Sequence, residues 1–167
     1  MPIARSIASS NWPAKPSSFS TISTTLSSAP IADAAAPVGQ GTLTIRFGNV
    51  GGTGAATAFT AGTARALTVT IGPDRDSLTG LRDAINDAAV QAAVALEARI
   101  LSDGSGARLH ILGASGEAGG FVVETGGAAS LGRFAFGVGV TGGMERSQAA
   151  ADARIAVDGL ELRRPGN

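Results

Sequence analysis

The sequence predicts an α+β fold: a β-rich antiparallel sheet module with one packed amphipathic helix and a flexible N-terminal lead-in. Several segments alternate apolar and polar residues with the two-residue period of a half-buried strand. One segment repeats apolar residues every three or four positions, as a helix on a sheet does. Asp-Gly and Gly-rich turns separate the strands. The length of 167 residues fits one domain, with or without tails.

The charge and cysteine content exclude several classes of function. Thirteen basic and thirteen acidic side chains cancel, and the basic ones are scattered singly, so neither nucleic acid nor an anionic membrane is an expected partner. The absence of cysteine excludes disulfides, thiolate metal sites and cysteine nucleophiles. No apolar run reaches the roughly 18 to 20 residues of a membrane span. The N-terminus lacks the apolar stretch of a cleavable secretory signal, so we expect any export to use another route.

Three regions differ in composition. Residues 1–39 are mainly Ser, Thr, Ala and Pro with isolated apolar residues, a composition that buries too little apolar area to order itself. We therefore expect a flexible lead-in there. Residues 41–163 carry the periodic patterns and form the predicted module, and residues 164–167 form a short tail.

The strand pattern begins with two segments, residues 42–47 and 66–71, which alternate strictly and are expected to pair antiparallel. Residues 94–101 and 108–112 form the next predicted pair, joined by a turn at residues 102–106. Weaker strands are predicted at residues 121–124 and 134–138. A last hairpin is predicted from residues 153–157 and 160–163 around Asp158-Gly159.

A single amphipathic helix of about three turns is predicted after Ser77, which has the side chain of a good N-cap. Its apolar stripe consists of Leu78, Leu81, Ile85 and Ala88. We expect this stripe to pack against a sheet that includes Ile45, Val69 and Ile100.

Three polar features of the sequence are candidates for chemical sites. His110 alternates with apolar neighbours on a predicted strand, which favours a solvated strand histidine over a general base. Asp103 and Ser105 favour a turn over a calcium site, because one carboxylate is too few oxygen ligands. Asp83 and Asp87 share a helix face and favour a solvated surface over a catalytic carboxylate pair.

The Gly-x-Gly-x-x-Gly spacing of Gly137, Gly139 and Gly142 matches a dinucleotide-binding loop and precedes a segment, residues 144–153, that could be helical. No β-α-β unit surrounds it, so an enzyme that uses this loop and Asp158 for a nucleotide is the less favoured hypothesis. Lys15 is the only lysine and lies in the lead-in, which excludes a P-loop. We therefore predict no catalytic, cofactor-binding or metal-ligating residue and no enzymatic activity.

Three blocks of the sequence carry a resemblance. Residues 77–111 contain Leu81-Arg82-Asp83-Ala84-Ile85-Asn86 and resemble the flagellin hook IN motif, residues 41–48 resemble the strand ahead of that motif, and residues 151–162 resemble the segment after it. Together they resemble the flagellar filament cap protein family, also called flagellar hook-associated protein 2. That family has coiled-coil helical regions on both sides, whereas residues 1–39 show no heptad pattern.

The resemblance implies that residues 41–163 are an outer, non-catalytic domain of a structural protein that guides flagellin assembly at the filament tip. It implies flagellin and other cap subunits as partners, and an extracellular location reached through the flagellar secretion apparatus. The alternative is a variable surface or adhesin-like domain of a flagellin or hook-associated protein, binding an external ligand.

Overall fold

The computed structural model describes residues 23–148, together with the backbone of residues 153–157 and 160–164. Within these ranges the chain forms one α-helix and ten strands, in the following order: β1 (Ser23–Ser27), β2 (Gly41–Gly51), β3 (Ala58–Ala61), β4 (Leu67–Ile71), α1 (Leu78–Gln91), β5 (Glu97–Asp103), β6 (Gly106–Ser115), β7 (Phe121–Gly127), β8 (Glu145–Gln148), β9 (Ala153–Val157) and β10 (Leu160–Arg164). The α+β fold class predicted from the sequence is confirmed.

The long strand β2 is the centre of one antiparallel sheet. Its first part pairs with β4 along one edge and with β7 along the other, and its last four residues pair with β3. Leu43 and Ile45 are fully buried between these neighbours. The predicted antiparallel pairing of residues 42–47 with residues 66–71 is therefore confirmed, because alternation places one apolar face of each strand on the core.

A second antiparallel sheet has the strand order β5-β6-β1-β8. The predicted hairpin of β5 and β6 is confirmed, with Asp103 paired to Gly106 at its end. β1 lies between β6 and β8, although it belongs to the predicted lead-in at residues 1–39. Thr24 and Leu26 are fully buried in β1. From Ser23 onward the structure therefore differs from the predicted flexible lead-in. The prediction failed because a buried strand made of Ser and Thr has the composition of a linker. Residues 1–22 lie outside the described part.

The helix begins as predicted, since the Ser77 hydroxyl accepts a hydrogen bond from the Gly80 amide at 3.0 Å. α1 has 14 residues, about four turns rather than three. It packs against β4 and β5, where Leu78, Leu81 and Ile85 are fully buried. They share one apolar cluster with Ile45 and Val69, with Ile100 at its periphery, so the predicted helix–sheet packing is confirmed.

A side chain also ties α1 to β5. The Asn86 amide nitrogen donates to the Ala98 carbonyl at 3.0 Å, and its oxygen accepts from the Ala98 amide at 2.8 Å. This pair satisfies main-chain groups on the helix-facing side of β5 that would otherwise lack partners. The helix is thus fixed to the sheet by directional bonds as well as by apolar contact.

Two sequence predictions in the second half of the chain are wrong. Residues 134–138 form no strand: Phe134 ends a 3-10 helix that starts at Ala129, and Phe136 makes only an isolated bridge to Val123. Both rings are buried. Phe134 and Phe136 therefore alternate with their neighbours in the sequence because each is buried by a different local structure, the 3-10 helix or the bridge, and not because they share a strand. Residues 145–148 form β8, not the start of a helix, because they pair with β1.

The C-terminal hairpin prediction is confirmed, because β9 and β10 pair antiparallel with Val157 opposite Leu160 and Ile155 opposite Leu162. β10 ends at Arg164, the first residue of the predicted tail. The Asp158-Gly159 turn lies outside the described residues.

Close packing in the core depends on small residues. The rings of Phe47 and Phe121 lie 6.4 Å apart with a tilt of 52°. A side chain at Gly113 would place its Cβ 2.8 Å from the Phe121 ring, which real contacts do not allow. The small residue on β6 therefore makes room for the largest buried side chain of β7.

Candidate interaction site

The structure places His110 on β6, half-buried beside β1. Its Nε2 lies 3.2 Å from the Ser27 hydroxyl, and Arg99 of β5 is its cross-strand partner. Burial, and then the positive charge of Arg108, lower the pKa of His110 below its ordinary value of 6.5. Within residues 23–148 no carboxylate hydrogen-bonds to His110, as an oriented general base would require.

The lowered pKa of His110 predicts a pH dependence of stability. The folded protein binds a proton at His110 less readily than the unfolded chain does, so the free energy of unfolding should fall as the pH decreases below about 6.5. A His110→Gln variant should lose less stability than the parent between about pH 7.5 and pH 5.5. Urea titrations at both pH values measure the difference. Equal losses in both proteins would contradict the prediction, since other titrating groups are common to the two.

The carboxylates of Asp83, Asp87 and Asp103 each contact a different partner. The Ser105 amide and hydroxyl donate to Asp103 at 2.7 and 2.5 Å, which lowers the pKa of that carboxyl and closes the β5–β6 turn. Asp83 pairs with Arg82 at 2.6 Å, and Asp87 pairs with Arg75 at 2.8 Å. Among the described side chains, no group of three His, Cys, Asp or Glu residues could hold a metal ion.

The glycine loop at residues 137–143 leads into β8. Gly139 and Gly142 have positive φ angles, which glycine adopts readily. A dinucleotide loop needs a helix N-terminus behind it, and the strand that follows here supplies none. Asp158, the second residue of the nucleotide hypothesis, lies outside the described residues.

A buried arginine that sequence reasoning missed lies next to this loop. Arg146 of β8 is only 5% exposed. Its Nη1 donates to the Val50 carbonyl at 3.0 Å, and its Nη2 donates to the carbonyls of Gly51, at 3.3 Å, and Gly52. We call this arrangement the Arg146 clamp. It holds the end of β2 against β8, across two sheets.

Among the side chains that the structure describes, the clamp has no charge partner. In residues 23–148, no carboxylate lies within 4.0 Å of the guanidinium, and the buried Nε has no hydrogen-bond partner. The guanidinium lies over the Phe136 ring, 5.9 Å from its centroid. Burial lowers the pKa of Arg146. One arginine in a short polar strand gave no sequence signal of this burial.

A cavity of about 340 Å³ lies beside the clamp. It is lined mainly by small residues of the loop after β2 and of the glycine loop, with one carboxylate, that of Glu145. The lining residues are Gly54, Ala55, Ala56, Phe136, Gly137, Val140, Gly142, Gly143, Met144, Glu145 and Arg146.

A second, more apolar groove of about 370 Å³ lies on the other side of the glycine loop. It is lined by Phe59, by part of β7 and by Val138 and Val140, which are 55% and 38% exposed. Phe136, Gly137 and Val140 line both the cavity and the groove. The two depressions therefore lie next to each other.

The fold was compared with known proteins. No family model and no curated protein sequence matches the chain. Solved structures do match: flagellar cap protein FliD from Escherichia coli, D1-D2-D3 domains, has a TM-score of 0.70 at 24% identity over 87% of this chain. FliD from Pseudomonas aeruginosa has a TM-score of 0.66 at 27% identity over 88%, and the D2-D3 domains from Serratia marcescens have 0.67 at 24% over 87%.

These matches show that the chain is similar in fold to sheet-dominated domains of a class of flagellar structural proteins. More particularly, it is a structural relative of the flagellar cap protein, which confirms the resemblance found in the sequence. The chain spans 40% of the Escherichia coli structure, 63% of the Pseudomonas aeruginosa structure and 72% of the Serratia marcescens structure. None of the helices in the described residues is long and apolar enough to cross a membrane.

Proposed function

We propose that this chain is an outer domain of a flagellar filament cap, and that it acts through its shape and surface to guide flagellin into place at the filament tip. The observation that carries the proposal is the shared fold, with TM-scores of 0.66 to 0.70 over 87 to 88% of the chain. The domain comprises residues 41–163 together with β1, because β1 completes the second sheet. The proposal assigns the chain no catalytic role and no cofactor.

The surface supports a role in contacts between proteins. Unpaired strand edges and exposed apolar side chains are features through which sheet proteins meet partners. Val138 and Val140 supply such side chains and line a groove together with residues 122–125 of β7. Flagellin and other cap subunits are the proposed partners. The proposed location is outside the cell, after export through the flagellar secretion apparatus.

Immunogold labelling of intact flagella tests this proposal against its alternative. Antibodies raised against the purified chain should label one end of each filament, because a cap occupies the tip. Label along the filament shaft would contradict the proposal and favour the variable surface domain of a flagellin. Antibody that has been absorbed with the purified chain is the control for specificity.

A further inference from the structure

The Arg146 clamp holds a buried positive charge, and the groups that contact it within residues 23–148 are neutral. Three main-chain carbonyls and one aromatic face contact the guanidinium, and none of them carries a negative charge. Buried charges in proteins are normally paired, because desolvation of an unpaired ion is costly. Within residues 23–148 the clamp therefore lacks an anion, and the cavity that Arg146 lines is where an anion can approach.

The cavity is large enough to admit a carboxylate side chain. Its volume of about 340 Å³ is at the lower end of the range for small-ligand sites, roughly 300 to 1,000 Å³. Gly54, Gly137, Gly142 and Gly143 line it, so a ligand meets the main chain without intervening side chains. Both Nη atoms of Arg146 already donate to main-chain carbonyls, so a carboxylate in the cavity is attracted mainly by the positive charge of the guanidinium.

The neighbouring groove indicates what carries the carboxylate. The groove and the cavity share the wall formed by Phe136, Gly137 and Val140. An extended chain places successive side chains about 3.3 Å apart along its axis and on alternating sides. A peptide that crosses the glycine loop can therefore place an acidic side chain in the cavity and an aliphatic one in the groove.

We propose that the Arg146 cavity binds the carboxylate of an acidic side chain in an extended, aliphatic segment of a neighbouring polypeptide. The segment's aliphatic side chains cover Val138 and Val140. The inference rests on the proposed function at one point: the ligand is a polypeptide that the domain meets during assembly. The site itself depends on the charge, the cavity and the groove.

Glu145 is the one acidic side chain among the described residues that line the cavity. It is exposed and is not paired with Arg146 within residues 23–148. Its charge opposes an acidic ligand, so a Glu145→Gln variant should bind such a ligand severalfold more tightly. Weaker binding by this variant would contradict the proposal, since Glu145 would then belong to the groups that recognise the ligand.

The central test uses two fluorescent peptides and the purified chain. The peptides Ala-Val-Glu-Val-Ala and Ala-Val-Gln-Val-Ala, both with blocked ends, differ only in the charge of the middle side chain. Fluorescence anisotropy should show at least roughly tenfold tighter binding of the glutamate peptide, because the glutamine peptide leaves the buried guanidinium without an anion. Acetate added in competition should weaken the binding.

Two variants locate the site. Arg146→Met should abolish the preference for the glutamate peptide, with its fold checked by circular dichroism. Gly54→Asp keeps Arg146 and its contacts intact, because a Cβ at Gly54 meets no atom within 4 Å, and it places a competing carboxylate at the cavity. It should weaken binding at least roughly tenfold. Gly104→Asp is the matched control, since a Cβ there is equally free of contacts but lies in the β5–β6 turn.

The outcomes separate this site from the proposed function. Equal binding of both peptides, or no binding of the glutamate peptide at millimolar concentration, even where acetate binds, would each overturn the assignment. So would an unchanged affinity in Gly54→Asp. All of these measurements use the purified chain, and therefore their failure leaves the tip-labelling result untouched.

Discussion

Replacement of Leu26 by alanine is expected to lower the free energy of unfolding by about 2 to 5 kcal/mol. Leu26 is fully buried in the strand that joins β6 to β8, where its main chain is paired with Ile111 on one side and Arg146 on the other. Because both neighbouring strands hold the surrounding backbone in place, the cavity left by the lost side chain can collapse only in part. Urea denaturation of the purified chain measures the change.

Thr25 provides the matched control in the same strand. Its side chain is half-buried on the opposite face of β1, so Thr25→Ala should cost about 1 kcal/mol or less. If Leu26→Ala and Thr25→Ala had the same small effect, β1 would not be a structural strand of the domain. The boundary of the folded unit would then lie nearer Gly41, as composition alone suggested.

The elements that the sequence predicted share a local signal. The apolar periodicity lies within about a dozen residues in β2, in β4, in each strand of the β5–β6 hairpin and in α1. Turns or the Ser77 cap mark the ends of these elements. Each of these elements is amphipathic before any tertiary contact forms. For that reason the period of the pattern sufficed to predict both their type and the face that is buried.

The elements that the sequence did not predict depend on distant contacts. β1 contains one aliphatic residue among Ser and Thr, and its partners are more than 80 residues away in β6 and more than 110 residues away in β8. Phe134 and Phe136 alternate in the sequence but are buried by a 3-10 helix and a single bridge. In both cases tertiary context overrides local propensity.

The Arg146 clamp has the same origin. Nothing near Arg146 in the sequence distinguishes it from the other arginines, most of which are exposed or paired with carboxylates. Its burial follows from the pairing of β8 with β1, which brings Arg146 to the end of β2. Candidate interaction residues of this kind become visible only when the strand order is known.

Deletion of the domain from the gene that encodes it is expected to have the largest effect in the cell. If the surface of this domain guides flagellin at the tip, replacement of the domain by a flexible Gly/Ser linker removes that surface while leaving the flanking chain connected. Flagellin subunits would then reach the tip without the surface that directs them. Cells that carry the parent gene at the same locus are the control.

The partition of flagellin between filaments and culture medium is the most direct measurement of this role. Cells with the deletion should retain less than about one tenth of the parental flagellin in filaments. The contacts of the domain favour flagellin in the filament over free flagellin, and each 1.4 kcal/mol of contact energy that is lost lowers this preference about tenfold. The missing flagellin should be recovered from the medium as free subunits. Filaments of parental amount and length in the deletion cells would contradict a role of this domain in flagellin assembly.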